Sequence, residues 1–146
     1  MLRGNSPARV DDKGRLKLPS SFRSIIEPEY GSEFFVTSVR GESVRLYPLP
    51  VYARLEDRLL KSSTLAPEVT RLRNAFNYYG QASIMDSQGR VLIHPLLRDK
   101  ARIVGDVVVL GQQDYLEVWN RGGFQALMEG GPLTDADLRQ LAELGF

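Results

Sequence analysis

Asp11-Asp12-Lys13-Gly14-Arg15-Leu16-Lys17-Leu18 and, 75 positions later, Asp86-Ser87-Gln88-Gly89-Arg90-Val91-Leu92-Ile93 are two copies of one pattern. Asp, Gly and Arg recur at matching places, and the apolar alternation after the arginine keeps its phase. The match extends outward. Phe22-Arg23 answers Leu97-Arg98, and Phe34-Phe35-Val36 answers Val107-Val108-Val109-Leu110, with Gly31 and Gly105 shortly before each. Val44-Arg45-Leu46-Tyr47 answers Leu116-Glu117-Val118-Trp119. An ordered series over roughly 40 residues is an internal repeat, one small structural unit built twice.

Within one unit, residues 8–11 and 15–18 read as short strands joined by the three-residue loop Asp12-Lys13-Gly14, in which Gly14 supplies the left-handed position. That loop length sets Asp11 opposite Arg15 across the ladder. Gly89 and the pair Asp86 and Arg90 repeat the geometry. Pro19 ends the strand, and a short helix with Phe22, Ile25 and Ile26 on one side follows. Two more strands, at 33–38 and 43–47, are joined through Arg40-Gly41-Glu42; the second half offers 106–110 and 115–119. Each unit is β-β-α-β-β and too small to bury much surface by itself, so its strands need the other copy as a partner.

Helical spacing marks residues 50–61, through Val51, Leu55 and Leu59, and residues 67–79, through Val69, Leu72, Phe76 and Tyr79 with Pro67 at the first position. The aromatic run Asn77-Tyr78-Tyr79-Gly80 therefore reads as a packed helix end rather than a base-stacking platform. Tyr47 and Trp119, at equivalent places, read as core or interface. Arg121 to Glu129 corresponds to the first of the two helices. After the break at Gly130-Gly131-Pro132, Thr134-Asp135-Ala136-Asp137 caps a last helix carrying Leu138, Leu141 and Leu144. The expected division is a first unit at 1–50, a helical spacer at 51–80, a second unit at 81–125 and a C-terminal helical extension at 126–146.

The 146 residues are 42% hydrophobic and 25% charged, which is enough to fold a core. A net charge of +1 gives no global attraction to nucleic acid, so any such binding rests on local clustering. Residues 1–23 provide it, with Arg3, Arg9, Lys13, Arg15, Lys17 and Arg23 against Asp11 and Asp12. Strand alternation puts Lys13, Arg15 and Lys17 on one face and Leu16 and Leu18 on the other. In the second unit only Arg90 remains on that face, flanked by Gln88 and Leu92, so the first unit is expected to dominate phosphate contact.

The Asp–Arg pair has two readings. The plainer one is a cross-strand ion pair at a hairpin end on a solvated basic face. The functional one is a carboxylate that orients an arginine fork toward guanine O6 and N7, or toward phosphate. Catalysis finds little support. There is no cysteine, His94 is the only histidine, and no phosphate-binding or dinucleotide glycine spacing is present. Asp11 and Asp12, adjacent on a strand, point to opposite faces and make no paired-carboxylate site. No catalytic residue, metal ligand or cofactor is expected. No apolar run spans a bilayer, and Met1 to Pro7 has no apolar core of a secretory signal, so a cytoplasmic protein without a membrane partner is expected.

At Asp11-x-x-Gly14-Arg15 and Asp86-x-x-Gly89-Arg90 the sequence resembles the MraZ family of bacterial regulators. Supporting stretches are Arg3-Gly4, Leu16-Lys17-Leu18-Pro19, Phe34-Phe35-Val36-Thr37, Arg45-Leu46-Tyr47-Pro48, Asn77-Tyr78-Tyr79-Gly80, Val91-Leu92-Ile93 and Leu116-Glu117-Val118-Trp119, which together span most of the chain to about residue 125. One departure is His94, where the family's second motif usually has proline. The resemblance implies a mixed α+β, β-rich fold of two tandem AbrB-like (SpoVT-AbrB) swapped-hairpin units paired as an intrachain pseudo-dimer, with flanking helices. It implies ring-like homo-oligomers on double-stranded DNA, at G-rich direct repeats in the promoter of the protein's own division and cell-wall operon, usually as a repressor, and hence association with the nucleoid. It assigns DNA contact to Arg3, Arg9, Lys13, Arg15, Lys17 and Arg90, orientation to Asp11 and Asp86, and the turns to Gly14 and Gly89. The competing expectation is an oligomeric protein-interaction scaffold that does not bind DNA, or an antitoxin-like module.

Overall fold

The computed structural model describes residues 1–62 and 65–146. The short β-formers on either side of Gly14 make a hairpin of β1 (Asn5–Val10) and β2 (Arg15–Lys17), with Val10 opposite Leu16. Those beside Gly89 make β5 (Gln81–Ile84) and β6 (Arg90–Leu92). Pro19 and the His94-Pro95 step end these hairpins and start α1 (Ser20–Tyr30) and α4 (Pro95–Lys100); His94 is a half-buried turn residue. The second strand pairs are β3 (Glu33–Thr37) with β4 (Val44–Pro48), and β7 (Gly105–Gly111) with β8 (Leu116–Asn120). The remaining helices are α2 (Leu49–Lys61), α3 (Pro67–Tyr79), α5 (Arg121–Gly130) and α6 (Asp135–Glu143).

The mixed α+β, β-rich expectation stands. All eight strands form one antiparallel sheet in the order β5-β3-β4-β8-β7-β1-β2-β6. Its two ends approach each other, and the Leu92 amide donates to Ser83 Oγ at 3.2 Å. The sheet is thus nearly a closed barrel, an arrangement that leaves little unpaired edge. Four of the neighbouring pairs join the two repeats: β5 with β3, β4 with β8, β7 with β1 and β2 with β6.

Alternation sends one side chain in two into the interior, where both repeats contribute equivalent residues to one core. Leu16 and Val91 are both fully buried, and so, nearly, are Leu18 with Ile93 and Phe22 with Leu97. Burying a branched side chain of this kind contributes about 1.5–3 kcal/mol. A second apolar cluster, around Tyr47, Val51, Tyr52 and Phe76, seats α2 and α3 on β3 and β4. There Phe35 stacks on Tyr52 at 4.1 Å, and Thr37 Oγ1, fully buried, donates to the Phe76 carbonyl at 2.8 Å. Burial, reinforced by Glu56 and Tyr47, pushes the Tyr52 hydroxyl up to about 12.

Some positions differ from the expected faces. Ile25 is exposed, because α1 packs through Phe22, Ile26 and, partly, Tyr30, and Ile25 falls outside that stripe. Tyr47 is buried, whereas its counterpart Trp119 is half-buried against Phe124, with ring centres 5.5 Å apart. The cap of α6 forms as expected: Thr134 Oγ1 accepts from the Asp137 amide, and Asp137 Oδ2 accepts from the Thr134 amide. Yet α6 has no buried residue, and Leu144 lies just past its end. Among the described residues, no helix is long and apolar enough to cross a membrane.

Leu16→Ala at the β2–β6 seam should cost about 2–5 kcal/mol, the range for emptying a well-packed site. Denaturant unfolding measures it; a loss under 1 kcal/mol would mean the seam is not part of the core.

Candidate nucleic-acid interface

The two Asp–Arg turns are built alike. Asp11 Oδ1 accepts from the amides of Lys13 and Arg15, both at 2.9 Å, and Oδ2 accepts from Arg15 Nε at 2.8 Å. Asp86 repeats this with the amides of Gln88 and Arg90 at 2.9 Å and Arg90 Nε at 2.7 Å. Gly14 and Gly89 take φ of +82° and +79°, the left-handed backbone that closes the loop on the Asp11 and Asp86 carbonyls at 3.0 Å. The Arg15 amide above all, with its guanidinium and the Lys13 amide, holds the Asp11 carboxyl below its ordinary range despite partial desolvation. Arg90 and Gln88 do the same to Asp86.

This arrangement has a directional consequence. Each carboxylate engages its arginine through Nε. Among the described residues, the terminal nitrogens of Arg15 and Arg90 have no hydrogen-bond or ion-pair partner. The fork that matches guanine O6 and N7, or a phosphate, is thereby left available on side chains that are 32% and 27% exposed.

Across β2 and β6, Arg15 stands opposite Leu92 and Lys17 opposite Arg90, so the two arginines share one outer face with Lys17. Arg9 on β1 lies beside this group and reaches Asp106 at 3.7 Å, an exposed contact worth little. Two expected residues are placed differently. Lys13 is in the turn rather than on the strand face, since β2 begins only at Arg15. Arg3 precedes β1 at the end away from the turn, roughly 20 Å from it along the extended chain. Arg9, Arg15, Lys17 and Arg90 come together; Arg3 does not join them.

Two further arginines, absent from the expected set, brace the turns. Arg23 of α1 lies over Gly89 of the other repeat and donates from Nη2 to the Ser87 carbonyl at 3.1 Å, while its Nε pairs with Glu27. Arg98 of α4 lies over Gly14, where any added Cβ would overlap its guanidinium. Each helix therefore supports the turn of the opposite hairpin. The signal in the sequence was the match of Phe22-Arg23 with Leu97-Arg98, but nothing in it shows that these side chains cross between repeats.

Residues 81–143 match the family model described as "MraZ protein, putative antitoxin-like". Over its whole length the chain is 47% identical to the transcriptional regulator MraZ of Acidobacterium capsulatum, in an alignment of 146 residues that covers all of both chains. It is 44% identical to that of Koribacter versatilis, again over the full length of both. The transcriptional regulator MraZ of Histophilus somni is 32% identical over 130 residues, 88% of this chain and 86% of that one.

Gly14→Ala should lose stability by at least the 1–2 kcal/mol of a left-handed alanine, because the new methyl must also displace Arg98. A variant as stable as the parent would contradict the turn geometry. A carbon-13 NMR titration should place both turn carboxylates below 3.8, the ordinary value. Since the folded value is lowered, their stabilising contribution is complete above 3.8 and disappears as pH falls through the folded value.

Proposed function

The chain belongs to the MraZ family, whose curated relatives are named transcriptional regulators, and from that premise we propose that it regulates transcription by sequence-specific binding to double-stranded DNA. Its targets in this reading are the G-rich direct repeats upstream of its own division and cell-wall operon, where it represses and is held at the nucleoid. The observation that carries the proposal is the pair of oriented arginines, Arg15 and Arg90, whose terminal nitrogens are unengaged on one outer face with Lys17 and Arg9. Each carboxylate limits the wandering of its arginine, which lowers the ordering cost of a bidentate contact. The plainer reading, an ion pair that only closes a turn, describes the same bonds; the unengaged fork is what favours DNA.

Under this reading, residues 1–50 and 81–125 are two swapped-hairpin units forming a pseudo-dimer, with 51–80 as spacer and 126–146 as extension. The pairing of β1 with β7, and of β5 with β3, supports it, since each unit's first strand lies on the other unit's third. Assembly into a ring-like homo-oligomer is part of the same proposal. Leu127, Met128, Leu133 and Leu138, exposed on and between α5 and α6, support it as surface a second copy would cover. Several weak contacts from one assembly on repeated elements add through effective concentration, which suits direct repeats.

Fluorescence-anisotropy titration should find tight binding to a duplex carrying the repeats, and weak binding to a scrambled duplex, at near-physiological salt. Equal binding to both, lost as salt rises, would replace this reading with nonspecific electrostatics. Arg15→Ala should lose about 1–3 kcal/mol, roughly five- to 150-fold, with little loss of folding. Asp11→Ala should lose less, and Lys17→Ala should weaken both duplexes alike while reducing the salt slope by about one.

A further inference from the structure

The outer face around the β2–β6 seam differs on its two sides. One row across the strands runs Asp106, Arg9, Lys17, Arg90: Asp106 is paired with Arg9, Lys17 with Arg90, and Arg9 is next to Lys17 because Val10 faces Leu16. The other row runs Glu33, Ile84, Leu92, Arg15. Glu33 is paired with Ile84 and Leu92 with Arg15, while the Asp86 amide bond to the Arg90 carbonyl brings Ile84 next to Leu92. The repeat exchanges these rows position by position. The outer acids and the inner arginines correspond, but the middle pair is Arg9 and Lys17 in one row and Ile84 and Leu92 in the other.

Ile84 is 69% exposed and Leu92 37% exposed, adjacent to one another and to the oriented fork of Arg15. Single exposed aliphatic chains are ordinary on protein surfaces. An adjacent pair at the sites where the other repeat places two cations, on a face that carries Arg9, Arg15, Lys17 and Arg90 with Asp106 and Glu33 at its margins, is a mixed surface. It fits a polyanion that also presents apolar groups. Duplex DNA does so only in the major groove, where the 5-methyl of thymine projects next to the acceptors of a neighbouring guanine. The two rows are two residues apart on β2, about 7 Å, which is about two base-pair steps.

We propose that Ile84 and Leu92 pack on a thymine methyl beside the guanine addressed by Arg15, while Arg9 and Lys17 hold phosphate on the opposite side. The inference rests on the DNA-binding reading above and adds to it a thymine contact and an orientation. A face with one cationic and one apolar side reads an element that lacks two-fold symmetry, in a single direction.

The test replaces thymines of the repeat duplex one at a time with deoxyuridine, which removes the methyl and nothing else. Binding of the parent should fall about fourfold at one thymine of each element, the effect of one methyl group returned to water. Ile84→Ala should lose a similar factor on the thymine duplex and nothing further on the deoxyuridine duplex. A double exchange, Ile84→Arg with Leu92→Lys, copies the other row and should tighten binding to scrambled DNA while reducing discrimination. If every deoxyuridine duplex binds as the parent duplex does, or if Ile84→Ala weakens thymine and deoxyuridine duplexes equally, the proposal is overturned. The same holds if Ile84→Ala leaves affinity intact but disperses oligomers, which would assign the apolar pair to contact between copies. Arg15→Ala on the same duplexes separates these failures from failure of DNA binding itself.

Discussion

β2 and β6 have three residues each, too few to hold a place in a sheet through their own hairpins alone. What holds them is each other. Leu16 opposes Val91 with both side chains fully buried. Immediately past the strands, the Leu18 amide donates to the Gly89 carbonyl at 2.8 Å and the Ile93 amide to the Gly14 carbonyl at 2.9 Å. The exit of each short strand is thereby bonded to the turn glycine of the other repeat. Arg23 adds a hydrogen bond to the Ser87 carbonyl, and Arg98 packs its guanidinium on Gly14. Both Asp–Arg turns are therefore anchored from the opposite repeat, and neither arginine depends on a free loop for its position. On the DNA-binding reading, a fork that meets two acceptors benefits from such support.

The parts of this arrangement set by local chemistry were readable from the sequence. Asp-x-x-Gly-Arg specifies a three-residue turn, a left-handed glycine and a cross-strand pair, and all three form in both copies. The span of α3 and the Thr134 cap of α6 also follow from residue type and spacing alone. What was hidden depended on contacts between distant segments. Strand alternation carried to Lys13 put it on the face with Arg15, but Lys13 belongs to the 12–14 loop and has no place in the ladder, which resumes only at Arg15. Charge counting placed Arg3 with the other cations, whereas it precedes β1 at the end away from Arg9 and the turn. Ile25 shares an apolar triplet with Phe22 and Ile26, yet the helix touches the sheet along a narrower stripe. The bracing by Arg23 and Arg98 could not be read locally, because each acts on the other repeat.

Interior and surface obey different constraints in this duplication. Inside, both repeats contribute to one close-packed core and Leu16 abuts its equivalent Val91, so a change in one copy leaves a cavity or a clash against the other. Leu16 with Val91, and Leu18 with Ile93, accordingly remain matched in character and burial. On the outer face and in the turns no such coupling acts, and the copies diverge: Arg9 against Ile84, Lys17 against Leu92 on the face, and Lys13 against Gln88 in the turns. The near-zero net charge hides this division, since one half of a small face is cationic and the other is not.

The Asp–Arg pairs sit between these two regimes. The carboxylate accepts two backbone amides in addition to the guanidinium, so it closes the turn whether or not the arginine meets a ligand. Presence of the pair in both copies is thus accounted for by the fold alone and carries no weight in assigning a contact. The weight falls on which guanidinium nitrogens are left over and on what surrounds them. At Arg90 the neighbour across the strand is Lys17, a second cation, and the local environment favours phosphate or any guanine edge. At Arg15 the neighbour is Leu92, whose apolar surface adds nothing to binding a phosphate and gains only where a methyl meets it. Two turns with the same internal bonds therefore present different surroundings to a ligand, and the difference comes from the strand opposite rather than from the motif.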